Sequence, residues 1–376
     1  MPGPLAGVKV LEMNAIGPVP FAAMMLADMG AQVTCVDRHV PGFLNADGSL
    51  LKRGRRSIAI DPRKPGADEV LLKLIDDADV LIEGFRPGVM ERLGLGPDVC
   101  LQRNRKLIYG RMTGWGQSGP LAHAAGHDIN YIALSGLLNA MGHADRPPTP
   151  PLHLVGDMGG GAMFLLTGIL AALFEAQKSG LGQVVDAAIC DGTTLLGSMY
   201  YDLRQQGQWT DQRQSNMLDG GAPFYGCYAC ADGKLVTVGA IEPQFYQRLL
   251  ELCEIDDPDF TEQWQRQAWP ALREKLAAVF LSRSRDAWVA LLEGTDACFA
   301  PVLDFNEAPE HPHNQARGLF METAGVLHPA PAPRLSRTPV KAGALVKNGE
   351  HTLEILEQLG LSAAQIDALR KGGAIV

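Results

Sequence analysis

The sequence predicts an α/β protein, with a large domain on a parallel sheet and a smaller α+β domain later in the chain. Three observations carry this. Apolar, β-branched runs alternate with helix-like runs from Gly7 to about Gly180. The first three segments, VKVLEM, FAAMMLADMG and AQVTCVD, run strand, helix, strand, an order that normally means parallel pairing through a right-handed crossover. From Asn216 the alternation gives way to a hairpin followed by consecutive helices.

Taken in order, the loop after the first strand is NAIGPVP. It lacks the GxGxxG that lets backbone approach a pyrophosphate, so the expectation is a Rossmann-like shape with no nicotinamide or flavin cofactor. The second strand ends at Asp37-Arg38, and the basic run LKRGRRSIAIDPRK follows. That run reads either as a solvated surface loop or as a phosphate-binding patch, since arginine forks match phosphate oxygens. GADEVLLKLIDDA is an amphipathic helix, VLIEGF a strand, RPGVMERLGLG a turn with a short helix, and KLIYGRMTGWG a strand. Arg86 and Arg92 follow VLIEGF on the same expected sheet edge as Arg38, where open α/β sheets bind ligands. Asp157 precedes MGGGAMFLLTGILAALFEAQ and reads as the N-cap of a long apolar helix. GQVVDAAICDG is a further strand, and DGTTLLGSMYYDLRQQGQW a helix.

In the second part, LDGGAPFYGCYACADGKLVTVGA reads as a hairpin turning at Ala231-Asp232-Gly233-Lys234. Pro243 takes the first position of a helix in EPQFYQRLLELC. WPALREKLAAVFLSRS and RDAWVALLE are helices, and a short strand lies around CFAPVLDF. The expected boundaries are 1–200 for the large domain, 201–224 for a linker, 225–320 for the small domain and 321–345 for a Pro-rich linker. Residues 346–376 give two short helices returning to the large domain.

Composition narrows the function. The 376 residues are 46% hydrophobic and 20% charged, with a formal net charge of −9. That balance argues against nucleic-acid binding. The most apolar run, AMFLLTGILAALFEA, reads as too short to span a membrane and as broken at Gly168. MPGPLAGVKVLEM does not read as a signal peptide, and the final Ala-Ile-Val is not a peroxisomal address, so a cytoplasmic location is expected. Seven scattered cysteines suit reduced thiols, and the Cys227/Cys230 pair has no zinc partners at the required spacing.

There is no GxxxxGK[ST], GxSxG or HExxH. What remains is a set of proton-transfer groups: His127, Asp128, Asp157 and Glu242. Histidine titrates near neutral pH and is the commonest general acid or base. By residue type alone, His127 reads first as a hydrogen-bonded structural histidine, Asp157 as a helix cap and Glu242 as a helix-start charge, which leaves the chemistry open.

Longer segments add a resemblance. FAAMMLADMGAQVTCVDR, LKRGRRSIAID, RPGVMERLGLGP, GRMTGWGQSGP, AGHDINYIALSG, DMGGGAMF, GQVVDAAICDG, NMLDGGAPFY and VGAIEPQFY together resemble the family III CoA-transferase (CaiB/BaiF-type) superfamily, and within it the α-methylacyl-CoA racemases. The likeness covers almost the whole chain. It implies an interlocked homodimer, a Rossmann-like CoA-binding domain and a 2-methylacyl-CoA thioester substrate, with no cofactor beyond that CoA. It implies epimerisation by α-proton transfer, with His127 and Asp157 as catalytic groups and Glu242 beside the histidine. CoA contacts are implied at Arg38, Ile60, Asp61, Pro62, Arg63, Arg86 and Arg92. Gly126, Asp128, Ile129, Asn130 and Tyr131 are expected to line the thioester site.

The enolate oxygen is expected at the backbone amides of a helix opening after Asp157, approached past Gly159, Gly160 and Gly161. Met112, Met141, Met158, Met163, Met199 and Met217 are candidates for an adaptable acyl surface. The rival activity is CoA transfer between acids, in which Asp157 is the nucleophile of an acyl anhydride; the GHD histidine separates the two, because transferases of the superfamily typically lack it. A third reading is an acyl-CoA-binding protein without catalysis.

Overall fold

The computed structural model describes residues 2–38 and 48–376. They divide into two units, the first from Met1–Ser135, Leu152–Leu196 and Gly318–Val376, the second from Gly136–Pro151 and Gly197–Arg317. The small unit thus takes in residues 136–151, which the sequence pattern had assigned to the large domain.

The first unit opens with β1 (Lys9–Met13), α1 (Pro18–Asp28) and β2 (Gln32–Asp37), then β3 (Arg55–Ala59), α2 (Ala67–Asp76) and β4 (Val80–Glu83). Two short helices, α3 (Val89–Arg92) and α4 (Pro97–Arg103), lead to β5 (Ile108–Thr113), and α5 (Asp128–Leu134) follows. After the chain re-enters the unit, a π-helical turn (Leu154–Ala162) runs into α6 (Met163–Ser179), then β6 (Gln183–Ala188) and α7 (Ile189–Leu196).

The six strands form one parallel sheet in the order β3-β2-β1-β4-β5-β6. Alternate residues feed two cores. Val10, Val33, Val80 and Ile108 pack with α1 and α6, while Leu11, Val36, Ile58, Leu81 and Tyr109 pack with α2 and residues of the C-terminal tail. A parallel sheet covered on both faces explains why its strands read as nearly continuous apolar runs.

Three cations of the basic run fit neither expected reading, while Arg63 and Lys64 are exposed. Lys52 pairs with Asp37 at 2.6 Å, Arg53 with Asp28 at 2.6 Å, and Arg55 with Glu12, all with buried side chains. These three cations close internal ion pairs between β3, its approach and the first βαβ unit. A charge run cannot reveal this, because each partner lies 15 to 43 residues away in sequence.

The apolar helix is also longer than its sequence suggested. From Leu154 to Ser179 it is continuous, and it is long and apolar enough to cross a membrane by length and composition. Gly168 does not break it. A Cβ there would stand 2.6 Å from Val185, so the glycine lets α6 lie close on β6. Leu165, Leu166, Ile169 and Ala172 bury against the sheet.

In the second unit α8 (Ser198–Gln205) precedes β7 (Tyr225–Ala229), β8 (Leu235–Gly239) and α9 (Pro243–Leu252). Then come α10 (Trp269–Phe280), α11 (Arg285–Leu292), β9 (Phe299–Val302) and α12 (Pro312–Arg317). The strands form an antiparallel sheet β7-β8-β9 whose core holds Phe224, Tyr228, Val236, Trp269, Phe280 and Trp288. Back in the first unit, β10 (Phe320–Thr323) and β11 (Val326–Pro329) make a hairpin, and α13 (Thr352–Gln358) and α14 (Ala363–Lys371) close the chain. The tail covers edge strand β3: Ser57 N–H donates to His351 Nδ1, and Ala59 N–H to Thr352 Oγ1 at 3.0 Å. Ile355, Leu356, Ile366 and Leu369 complete the core on that side.

Arg55→Met should leave the Glu12 carboxylate buried and unpaired. The expected loss is roughly 3–5 kcal/mol in urea unfolding, and the double variant with Glu12→Gln should recover part of it.

Candidate active site

The strand order reverses between β1 and β4, which is where an open α/β sheet forms a crevice at its carboxyl edge. Loops following β1, β4, β5 and β6 enclose a cleft of about 510 Å³ there. Its lining includes Pro18, Arg86, Trp115, His127, Tyr131 and Asp157. The loop carrying Arg86 is tied down by Glu83, which accepts Phe85 N–H at 2.7 Å and Arg111 Nε–H at 2.9 Å.

His127 is exposed and sits at the N-cap of α5, where Asn130 Oδ1 accepts its backbone N–H at 3.0 Å. Tyr131, one turn further on, donates its hydroxyl to Gly126 O. Its ring lies against the backbone leaving β5, where a Cβ on Gly114 would stand 2.0 Å away, and meets Trp115 edge-on at 4.7 Å between centroids. Burial and the nearby Asp157 charge raise the Tyr131 phenol, so it stays protonated. Trp115 was missed by the sequence reading. Its only signal was a lone indole between Gly114 and Gly116, and its Nε1 is buried with no hydrogen-bond partner among the described residues.

Asp157 is half-buried, and a Cβ on Gly17 would stand 2.9 Å from its Oδ2. Its carboxyl is pushed up to about 6, first by burial and then by the Asp128 charge, with His153 and His127 opposing. It does not cap a helix. It is the fourth residue of the π-helical turn, which is continuous with α6. Its N–H goes to Asp128 Oδ1 at 2.7 Å, and Met158 N–H goes to His153 O at 3.2 Å. The amides around Asp157 are therefore engaged, and the helix opening expected after it is not there.

The glycines have a different use from the one expected. A Cβ on Gly160 would stand 2.3 Å from Thr193 Oγ1 and 2.9 Å from Ile189 O, and one on Gly161 3.0 Å from Ile189. A Cβ on Gly159 would stand 3.2 Å from Leu196. The run admits α7 against the π-helical turn.

The structure gathers Arg86, Gly126, His127, Asn130, Tyr131 and Asp157 on one cleft, with Met112 beside them. Asp128 is 7% exposed and packs behind it, and Ile129 is exposed outside the lining. Arg38, Ile60, Asp61, Pro62, Arg63 and Arg92 also lie outside it. Ile60 is fully buried, and Arg63 pairs with Asp61 at 2.9 Å. Arg38 and Arg92 are exposed. In the second unit, exposed Glu242 is the N-cap of α9 with Pro243 next, and its side chain does not cap the helix. No group of three or more His, Cys, Asp or Glu side chains suited to a metal ion occurs among the described residues.

Fold and cleft define a doubly wound α/β protein with a histidine and a raised carboxyl at its switch point. The chain belongs to CoA-transferase family III, whose profile matches residues 5–352. It is 45% identical over 366 residues to the alpha-methylacyl-CoA racemase of Mus musculus, covering 96% of this chain and 95% of that protein. It is 44% identical over 367 residues to the alpha-methylacyl-CoA racemase of Homo sapiens, with the same coverage. A CAIB/BAIF family protein from Brucella suis shares the fold, with TM-score 0.82 at 24% identity over 96% of this chain and all of that one.

Gly160→Ala should lower stability by roughly 1–3 kcal/mol, because the methyl meets the α7 backbone. Thermal and urea unfolding check this. A backbone used only for ligand approach would lose activity with unchanged stability.

Proposed function

We propose that this chain interconverts (2R)- and (2S)-2-methylacyl-CoA thioesters. The observation that carries the reading is His127 and Asp157 on one cleft at the sheet's switch point, in a chain 44–45% identical to two alpha-methylacyl-CoA racemases.

The chemistry sets the requirements. A hydrogen α to a thioester is far less acidic than any side chain, so its removal needs a positioned base and a stabilised enolate oxygen. One group takes the α-proton, leaving the electron pair delocalised onto the thioester oxygen. The other returns a proton to the same carbon from the opposite face. Protons balance, and the centre inverts. His127 and Asp157 exchange roles with the configuration of the substrate. A carboxyl near 6 is suited to this, because both of its forms are populated close to neutral pH.

For the enolate oxygen we assign the start of α5 in place of the turn around Asp157. Asp128 and Ile129, its first two residues, keep their side chains off the lining, but they stand between His127 and Asn130 of the cleft wall and their amides have no carbonyl to reach within the helix. One such donor contributes roughly 3–4 kcal/mol at the transition state in comparable sites. Arg86 offers a cation at the cleft for the substrate's phosphates, and CoA contacts distant from the carbon fix its position. The intertwined homodimer, the part played by Glu242 and the absence of a further cofactor belong to this proposal through the family resemblance.

Incubation with either epimer of a 2-methylacyl-CoA in deuterium oxide should exchange the α-hydrogen and racemise the centre, read by NMR. For the epimer deprotonated by Asp157, kcat/KM should fall as pH drops through about 6, since protonation removes the base. No exchange with any branched thioester, together with CoA transfer to an added free acid through a hydroxylamine-sensitive adduct, would replace this reading by the transferase.

A further inference from the structure

We propose that Asp128 is a positioning residue for Asp157: it fixes the Asp157 backbone and sets a second carboxylate beside it, so that Asp157 both takes and releases the proton. This rests on the reaction assigned above, and the family resemblance had given Asp128 only a place in the substrate lining.

The geometry is specific. Asp128 Oδ1 accepts the Asp157 N–H at 2.7 Å, across 29 residues of sequence. Asp128 Oδ2 is buried and has no hydrogen-bond partner among the described residues. Gly156 makes room for the carboxylate, since a Cβ there would stand 2.3 Å from Oδ1. Holding one amide in place needs one acceptor oxygen, which an asparagine would supply as well. A second, bare oxygen in a buried site carries a cost that no hydrogen bond offsets. An uncompensated charge in a medium of low polarity acts strongly on the nearest titrating group. That group is Asp157, on whose proton affinity Asp128 is the largest influence after burial.

The other ionisable groups around Asp157 do not replace it. His127, capping α5, and His153, before the π-helical turn, act in the opposite sense. Tyr131 on α5 stays protonated. Across the cleft Arg86 is a cation. On α7, Cys190 donates to Asp191 at 3.4 Å. On α1 the acid is Asp28, at the far end and paired with Arg53. A carboxyl at its ordinary value of about 4 holds a proton in only about one molecule in a thousand at pH 7. Near 6 the fraction is about one in ten, enough to serve as an acid as well as a base.

The test titrates the Asp157 carboxyl directly in full-length protein labelled with ¹³C at aspartate carboxyls, its resonance assigned by loss in Asp157→Asn. Wild type is compared with Asp128→Asn, which keeps an acceptor but removes the charge, and with Asp128→Ala, which removes both. In Asp128→Asn the midpoint should fall below about 6 but stay above the ordinary value of about 4, because burial, the larger cause, persists; the acid limb of α-proton exchange should move with it. Asp128→Ala should lower turnover by about 10- to 100-fold through lost positioning, with thioester affinity changed less than about threefold. Asp128→Asn should restore the positioning, so exchange from the epimer that Asp157 deprotonates should recover, while return of a proton by Asp157 at pH 7 should stay slowed in step with its smaller protonated fraction. An unmoved Asp157 midpoint in folded Asp128→Asn overturns the proposal whatever the activity. Failure of wild type to exchange any thioester would sink the reaction instead, and the carboxyl titration would still decide the part played by Asp128. If Asp128→Ala does not fold, the isosteric Asp128→Asn carries the test alone.

Discussion

A parallel sheet whose strand order reverses between β1 and β4 leaves a gap at its carboxyl edge that no crossover helix covers. Everything functional in the first unit follows from that constraint. Loops after four strands meet around the gap, and they bring together residues as distant in sequence as Pro18 and Ile189. The gap is useful only if its walls are rigid. The walls are held by packing in which side chains are absent by design: Gly114 admits the Tyr131 ring, and Gly160 admits α7. Glu83 adds ties of its own, to Arg111 and to the backbone of the Arg86 loop.

The same unit solves a second problem at the other end of the strand order. Strand β3 is an edge, and exposed edges invite pairing with other chains. Here it is stitched from two sides. Buried ion pairs join Arg55 and its neighbours to the first βαβ unit, and the C-terminal tail hydrogen-bonds along the strand. Buried pairs add little net stability compared with apolar packing, but removing one partner is expensive. Lys52, Arg53 and Arg55 of the basic run are therefore devices of the fold, and the arginine on the cleft lining is Arg86.

Much of the fold was legible because its strands are short apolar runs and its helices carry a clear period. The alternation gave the parallel sheet, the turn at Asp232-Gly233 gave the hairpin, and Pro243 marked the start of α9. What was hidden depends on distance. Nothing near Lys52 or Arg53 names Asp37 or Asp28 as partners. Asp157 looked like a cap because an aspartate before glycines and an apolar run is the local signature of one; a π-helical turn has no such signature. Trp115 gave no warning, since a single indole has no pattern. His127 and Asp157 were open by residue type and became specific through resemblance to a family. The structure adds their common cleft and the neighbour that conditions one of them.

The central claim is that two different groups serve the two faces of one carbon. The measurement that reaches it most directly follows α-hydrogen exchange in deuterium oxide from each epimer separately, in His127→Ala and in Asp157→Asn. The account predicts opposite asymmetry. Each variant should lose exchange from the epimer whose hydrogen the missing group removes, while retaining measurable exchange from the other. Equal loss for both epimers in both variants would contradict a pair of opposed bases.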